Sequence, residues 1–186
     1  MGPSRERPEL TAYYSESWFT AEGARLKARR LKRRGVPAIK NWRFITLTIA
    51  DRTLSPRKAY ELGKDRLRRF FACWRKRIGA FRWLWKLEFH HDEGGWPHWH
   101  VFLEYKKRLP HEALSEVEKW WGLGRTKVQR VNRTDIQYLW KYVAKGAEDL
   151  PVWVQQYKGR MRVVQTCKGF FEKSPARKAV RRSPRM

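Results

Sequence analysis

Only two cysteines, Cys73 and Cys167, occur in the 186 residues. This excludes a disulfide framework and any zinc site built from three or four thiolates. No apolar run approaches the ~18 residues that a membrane span requires. The opening stretch, Met1-Gly2-Pro3-Ser4-Arg5-Glu6-Arg7-Pro8, has no apolar signal core, so a soluble cytoplasmic protein is the expectation. Acidic residues are scarce: 18 Asp and Glu stand against 43 Lys and Arg, a net charge of +25. What is plentiful is aromatic. Aromatics make up 15% of the chain, with eleven Trp, within a total hydrophobic share of 41%. Disordered chains are poor in aromatics, so a folded core is expected, and the length suits one domain with tails.

An excess of +25 needs a counter-charge, and nucleic acid is the usual one. Anionic membranes attract basic chains too, but through a basic tract or an amphipathic helix. Here the cations run throughout and alternate with Trp, Tyr and Phe. That mixture suits single strands, where phosphates meet cations and bases stack on rings.

Residues 1–40 read as a basic N-terminal arm. Arg25, Lys27, Arg29, Arg30, Lys32, Arg33 and Arg34 place seven cations in ten residues. They suit either a basic helix on phosphates or a solvated arm, and an arm that orders on DNA is the favoured reading. Residues 172–186 read as a disordered basic tail. The core domain spans 41–171. Trp42 to Ala50 is strand-like. Ser55-Pro56 starts a helix whose stripe is Leu67, Phe70, Phe71, Trp74 and Ile78, ending at Gly79. Phe81–His91 and Trp96–Tyr105 read as strands joined through the turn Asp92-Glu93-Gly94-Gly95. Further elements are a helix near Pro110–Trp121, a strand over Arg125–Val131, a helix over Thr134–Lys145 and a strand over Met161–Thr166. The predicted class is α+β: a central antiparallel sheet of about five strands with helices packed on one face.

Four of the five histidines fall within residues 90–100: His90, His91, His98 and His100. Residues two apart on a strand share a face. Glu88, His90, His98 and His100 therefore gather on one side of the hairpin. Trp83, Trp85, Leu87, Phe89, Trp99, Val101 and Leu103 fill the other. Imidazoles and a carboxylate converging from neighbouring strands suit a divalent metal with open positions. The carboxylate favours Mg²⁺ or Mn²⁺, the imidazoles favour softer ions, and Mn²⁺ tolerates both.

In the helix over Thr134–Lys145, Ile136, Leu139, Trp140 and Val143 form a core stripe. Tyr138, Lys141, Tyr142 and Lys145 repeat that spacing two residues on, about 200° around the helix. A free phenol, with a pKa of about 10, is a poor nucleophile at neutral pH. A neighbouring ammonium favours the phenolate and stabilises charge on a phosphate. A solvated or DNA-stacking face is the alternative for this helix taken alone.

Glu88-Phe89-His90-His91-Asp92 followed by Pro97-His98-Trp99-His100 resembles the His-hydrophobic-His motif of the HUH single-strand endonucleases. It is especially similar to the two-tyrosine rolling-circle replication initiators (Rep proteins) of phages, of the gene A type. Tyr138-Leu139-Trp140-Lys141-Tyr142-Val143-Ala144-Lys145 resembles that family's Tyr-x-x-x-Tyr-x-x-Lys motif, and Phe44-Ile45-Thr46-Leu47-Thr48 its first motif. The hairpin turn departs by two extra residues within Glu93-Gly94-Gly95-Trp96.

The resemblance implies an HUH/Rep nuclease fold and Mn²⁺ or Mg²⁺ held by Glu88, His98 and His100, with His90 as the alternative third ligand. It implies attack by Tyr138 or Tyr142 through a 5′-phosphotyrosine intermediate, helped by Lys141 and Lys145. It implies an origin or hairpin of single-stranded DNA as substrate, gripped by the basic arm and Trp96. A host helicase and polymerase are implied partners, because no P-loop motif Gly-x-x-x-x-Gly-Lys-Ser/Thr occurs in the chain. Competing readings are a single-tyrosine transposase or mobilisation relaxase, and a non-catalytic basic single-strand DNA or RNA-binding module.

Overall fold

The computed structural model describes residues 17–35, 42–90, 93–104, 111–131, 139–140, 143, 150–157 and 161–171, with the backbone alone at 111–114. Five strands, β1 (Trp42–Leu47), β2 (Arg82–His90), β3 (Trp96–Glu104), β4 (Thr126–Arg130) and β5 (Val164–Thr166), form one sheet in the order β4-β1-β3-β2-β5. Every pairing is antiparallel. The helices are α1 (Ala21–Arg33), α2 (Pro56–Ile78), α3 (His111–Trp121) and α4 (Val152–Tyr157). This is the expected α+β architecture.

The start of α2 follows its sequence signal. The Ser55 hydroxyl accepts the Lys58 N–H at 3.3 Å, and Pro56 occupies the first turn. Gly79, at φ 81°, ends it in a conformation that favours glycine. Leu67, Phe70, Phe71 and Trp74 of α2 bury against Ile45, Leu47, Trp85, Leu87, Trp99, Val101 and Leu103 of the sheet, with Val117 and Trp121 of α3. Full burial of each such side chain is worth about 1.5–3 kcal/mol, so this layer dominates the fold's stability.

Helices do not keep to one face, as the strand and helix order suggested. A second cluster joins Trp42, Leu84 and Phe102 to Ala28 of α1 and to Leu139, Trp140, Val143, Phe170 and Phe171. Register places Leu84, Phe102 and Phe44 opposite one another on the face away from α2. Part of the basic segment, Ala21–Arg33, is a helix docked on this face. Thr20 caps it by accepting the Gly23 N–H at 3.1 Å, and Gly23, Ala24 and Ala28 bury. Ala28 packs into that cluster, Ala24 is buried one turn before it, and Gly23 leaves room for Ser17 and Thr20, while the cations of α1 point outward. Arg25, Arg29, Arg30, Lys32, Arg33 and Arg34 are exposed and Lys27 is half-buried. Residues 1–16, 36–41 and 172–186 lie outside the described residues.

Candidate metal centre

The β2–β3 ladder runs unbroken from Arg82 opposite Glu104 to His90 opposite Trp96. Directly opposed residues share a face, so this register fixes which side chains meet. Glu88 faces His98, and Lys86 faces His100. Thr46 of β1 flanks His100 from the other side. The sheet thus presents Thr46, Lys86, Glu88, His90, His98 and His100 on one surface, as the alternation predicted for the last four.

Two linked groups stand on that surface. In the first, Glu88 Oε2 lies 3.1 Å from His100 Nε2, and Glu88 Oε1 accepts from Lys86 Nζ at 3.0 Å. His100 Nδ1 meets the Thr46 hydroxyl at 3.3 Å, and Phe44 stacks on its ring at 5.2 Å and 8°. Orientation of His100 is thus set on three sides, leaving Nε2 turned toward Glu88. In the second group, the His90 and His98 rings stand 3.9 Å apart. With Glu93 they offer three ligand atoms within 4.8 Å of one another.

Glu93 arrives there through the turn. Gly94 and Gly95 take φ of 62° and 84°, and the Gly95 N–H donates to the His90 carbonyl at 2.9 Å. A Cβ at Gly95 would fall 2.1 Å from Pro151 Cγ, so only glycine fits this bend. Arg52 anchors the Glu93 carboxylate at 2.7 Å.

Electrostatics prepares both groups for a cation. Burial opposes charge on Glu88, but the His100 hydrogen bond and the Lys86 charge together outweigh it and hold the carboxyl at about 2. Burial pulls His98 down to about 4, and the nearby His90 and His100 add to that pull. The imidazole is therefore neutral at pH 7, with a lone pair available. His98 is 8% exposed, and its Nε2 is buried with no hydrogen-bond partner among the described residues. A buried, unpartnered imidazole nitrogen is costly unless something binds it. The Arg52 hydrogen bond depresses the Glu93 carboxyl as well. A neutral His98 imidazole beside ionised carboxylates fits a divalent metal.

Glu93, Lys86 and Thr46 were missed from the sequence. Lys86 carried a detectable signal, since it shares the parity of Glu88 and His90 on β2, whereas Thr46 is placed by the β1–β3 register. Trp96 is a correction of another kind. It is 3% exposed, donates its indole N–H to the Ile49 carbonyl at 3.0 Å, and is covered by the Arg52 guanidinium at 4.4 Å. Packed in this way, it offers no open ring to a base.

Tyr138, Lys141, Tyr142 and Lys145 lie outside the described residues, as do His91 and Asp92. Three members of the expected core stripe between them, Leu139, Trp140 and Val143, are described. They bury with Leu84 and Phe102, on the sheet face that bears Glu88 and the histidines. Among the described residues no helix is long and apolar enough to cross a membrane.

Residues 42–147 match the model of a family described as replication-associated protein ORF2/G2P. No curated protein and no solved structure gives a significant match. The matched stretch opens at the first residue of β1 and takes in the hairpin, α3, β4 and the Tyr138–Lys145 segment. It covers more than half of the chain, which therefore belongs to the replication-associated protein ORF2/G2P family and is a Rep-like protein of replication initiation.

Proposed function

We propose that this chain is an HUH-type endonuclease that nicks and rejoins single-stranded DNA to initiate rolling-circle replication. The observation that carries the reading is the buried, neutral, unpartnered Nε2 of His98 beside the Glu88–His100 pair. Glu88, His98 and His100 would hold Mn²⁺ or Mg²⁺, with His90 and Glu93 adjoining. A bound divalent ion supplies Lewis-acid polarisation of the scissile phosphate.

The chain's own residues do the rest. The hydroxyl of Tyr138 or Tyr142 gives up its proton, and its oxygen attacks phosphorus. A Tyr–O–P bond forms as the P–O3′ bond breaks, and the leaving 3′ oxygen takes up a proton. A phosphodiester is exchanged for a phosphodiester, so the reverse step rejoins strands without ATP. Lys141 and Lys145 favour the phenolate and offset charge developing on the phosphate. The freed 3′-hydroxyl primes a polymerase, and a second tyrosine one turn away accepts the returning strand. Burial of Leu139, Trp140 and Val143 on the metal-bearing face supports a tyrosine segment tethered on that side. Cations of α1, docked on the same face, suit the phosphates of the incoming strand.

The test is a denaturing gel of a labelled single-stranded oligonucleotide pool incubated with the protein and Mn²⁺, with EDTA as control. An SDS-resistant DNA–protein band that needs metal is expected, and Tyr138→Phe with Tyr142→Phe abolishes it without abolishing DNA binding. A band that persists in the double variant overturns the tyrosine assignment. Loss of the band in only one single variant favours the one-tyrosine relatives.

A further inference from the structure

The opposite face of the sheet carries a cleft of about 640 Å³ between α2 and the β2–β5 edge. Trp83, half-buried, is the ring it leaves most open, set against the buried rings of Tyr60, Phe71 and Trp85. Lys64, Arg68, Arg75 and Arg162 stand around it, and no acidic side chain lines it among the described residues. Trp85 and Glu88 are three positions apart on β2, so they point to opposite faces, and the cleft is separate from the metal centre. Arg68 reaches Asp65 at 3.2 Å with its side chain 83% exposed, a pairing that water and salt screen. Lys64 is exposed, with its Nζ 5.9 Å from the Tyr60 ring.

A half-buried Trp83 ring among cations matches single-stranded nucleic acid, whose bases stack and whose phosphates need counter-charge. Pockets of roughly 300–1,000 Å³ enclose small molecules, so the cleft has room for one or two nucleotides. β5, Val164–Thr166, is the short sheet edge between the cleft and the metal-bearing face. A strand crossing that edge reaches both.

We propose that this cleft is a second single-strand DNA site. It holds one or two nucleotides of the strand outside the metal-bearing face, with a base against Trp83 and phosphates on Arg68, Arg75 and Arg162. The inference rests on the reading of this chain as a single-strand DNA protein and is independent of its nicking chemistry.

The experiment uses the full chain in EDTA, where no cleavage interferes. A long single-stranded oligonucleotide carrying 5-iododeoxyuridine is photo-crosslinked, and the joined peptides are identified by mass spectrometry. Crosslinks to the peptides bearing Phe71 or Trp83 are expected. Arg68→Glu with Arg75→Glu should weaken oligonucleotide binding about tenfold and lower the salt slope by roughly 1.4, at ~0.7 per phosphate contact on a single strand. Crosslinks confined to α1 and the β2–β3 hairpin, with affinity and slope unchanged in the variant, overturn the proposal. So does crosslinking of these peptides by 5-iododeoxyuridine monophosphate but not by the oligonucleotide, which would make the cleft a mononucleotide pocket. Nicking is read separately as the covalent band in Mn²⁺, so its failure does not decide the cleft.

Discussion

Glu88 and His100 meet across the β2–β3 ladder at 3.1 Å, although register places His98, not His100, directly opposite Glu88. The contact is diagonal, and Lys86 holds the other carboxylate oxygen at 3.0 Å. The Lys86 side chain is almost wholly buried, so this carboxylate both faces the candidate metal position and compensates an interior ammonium. Breaking a buried pair by neutralising one partner costs about 3–5 kcal/mol. Glu88→Gln is therefore expected to destabilise the metal-free protein by about 3 kcal/mol in urea at pH 7, and to weaken Mn²⁺ binding. An unchanged unfolding midpoint would mean that the pair contributes no net stability.

Metal should register as stability even where no DNA is present. A ligand bound to the folded state at a hundredfold its dissociation constant adds about 2.7 kcal/mol. For a chain of this size each kcal/mol shifts Tm by about 2–4 °C. Mn²⁺ is expected to raise Tm by roughly 5–10 °C on that arithmetic, and EDTA to reverse it. His98→Ala should remove most of the rise, because it deletes the buried unpartnered nitrogen. An equal rise in wild type and variant would place the ion elsewhere.

The hairpin was legible because its signal has period two and its faces differ sharply. Trp83, Trp85, Leu87, Trp99, Val101 and Leu103 all pack on the α2 side as alternation requires. At the strand end that logic weakens. Trp96 begins β3, and its ring is drawn to the Ile49 carbonyl and into the α2-side core, beyond what parity describes. Glu93 was unreadable for a related reason: backbone angles at Gly94 and Gly95, not spacing, carry it back to His90 and His98. The six residues of α4 follow Pro151 and are too few to show a helical period. On α1 the run of cations hid the small residues Gly23, Ala24 and Ala28, whose burial decides where the helix sits.

Tyr60 makes alkaline pH a probe of the α2-side core. Burial, with added repulsion from Tyr157 and Glu61, raises its phenol from 10.0 to about 12. Between these values the unfolded chain loses the proton while the folded chain keeps it. Stability from this group is whole below pH 10 and falls as pH rises toward 12, by about 2–3 kcal/mol in total at 1.36 kcal/mol per unit. Tyr60→Phe should flatten the decline in unfolding free energy between pH 10 and 11.5. A decline of unchanged slope in the variant would assign it to other groups.

Gly63 and Trp99 provide the sharpest test of how the core positions the site. Gly63 lies within α2, where replacing Gly by Ala ordinarily favours the helix by about 1 kcal/mol. Here a Cβ would stand 2.3 Å from Trp99 Cη2 and 2.5 Å from Cζ3, with Ile49 Cδ1 at 3.0 Å. Trp99 is fully buried and touches Trp121 and Tyr60, so its ring has little room to yield. Overpacking of this kind costs about 1–3 kcal/mol, enough to reverse the helix gain. Gly63→Ala is expected to destabilise the protein by a net ~1–2 kcal/mol. Trp99 sits between His98 and His100 on β3, so pushing on it also moves the strand that carries both imidazoles. Mn²⁺ affinity should therefore fall in Gly63→Ala, although the substitution lies on the far side of the sheet. Trp99→Phe removes the atoms that clash, and the double variant should be more stable than the sum of the two single losses, a coupling of about 0.5–3 kcal/mol. Strict additivity in that cycle would show that α2 does not bear on β3 through this contact.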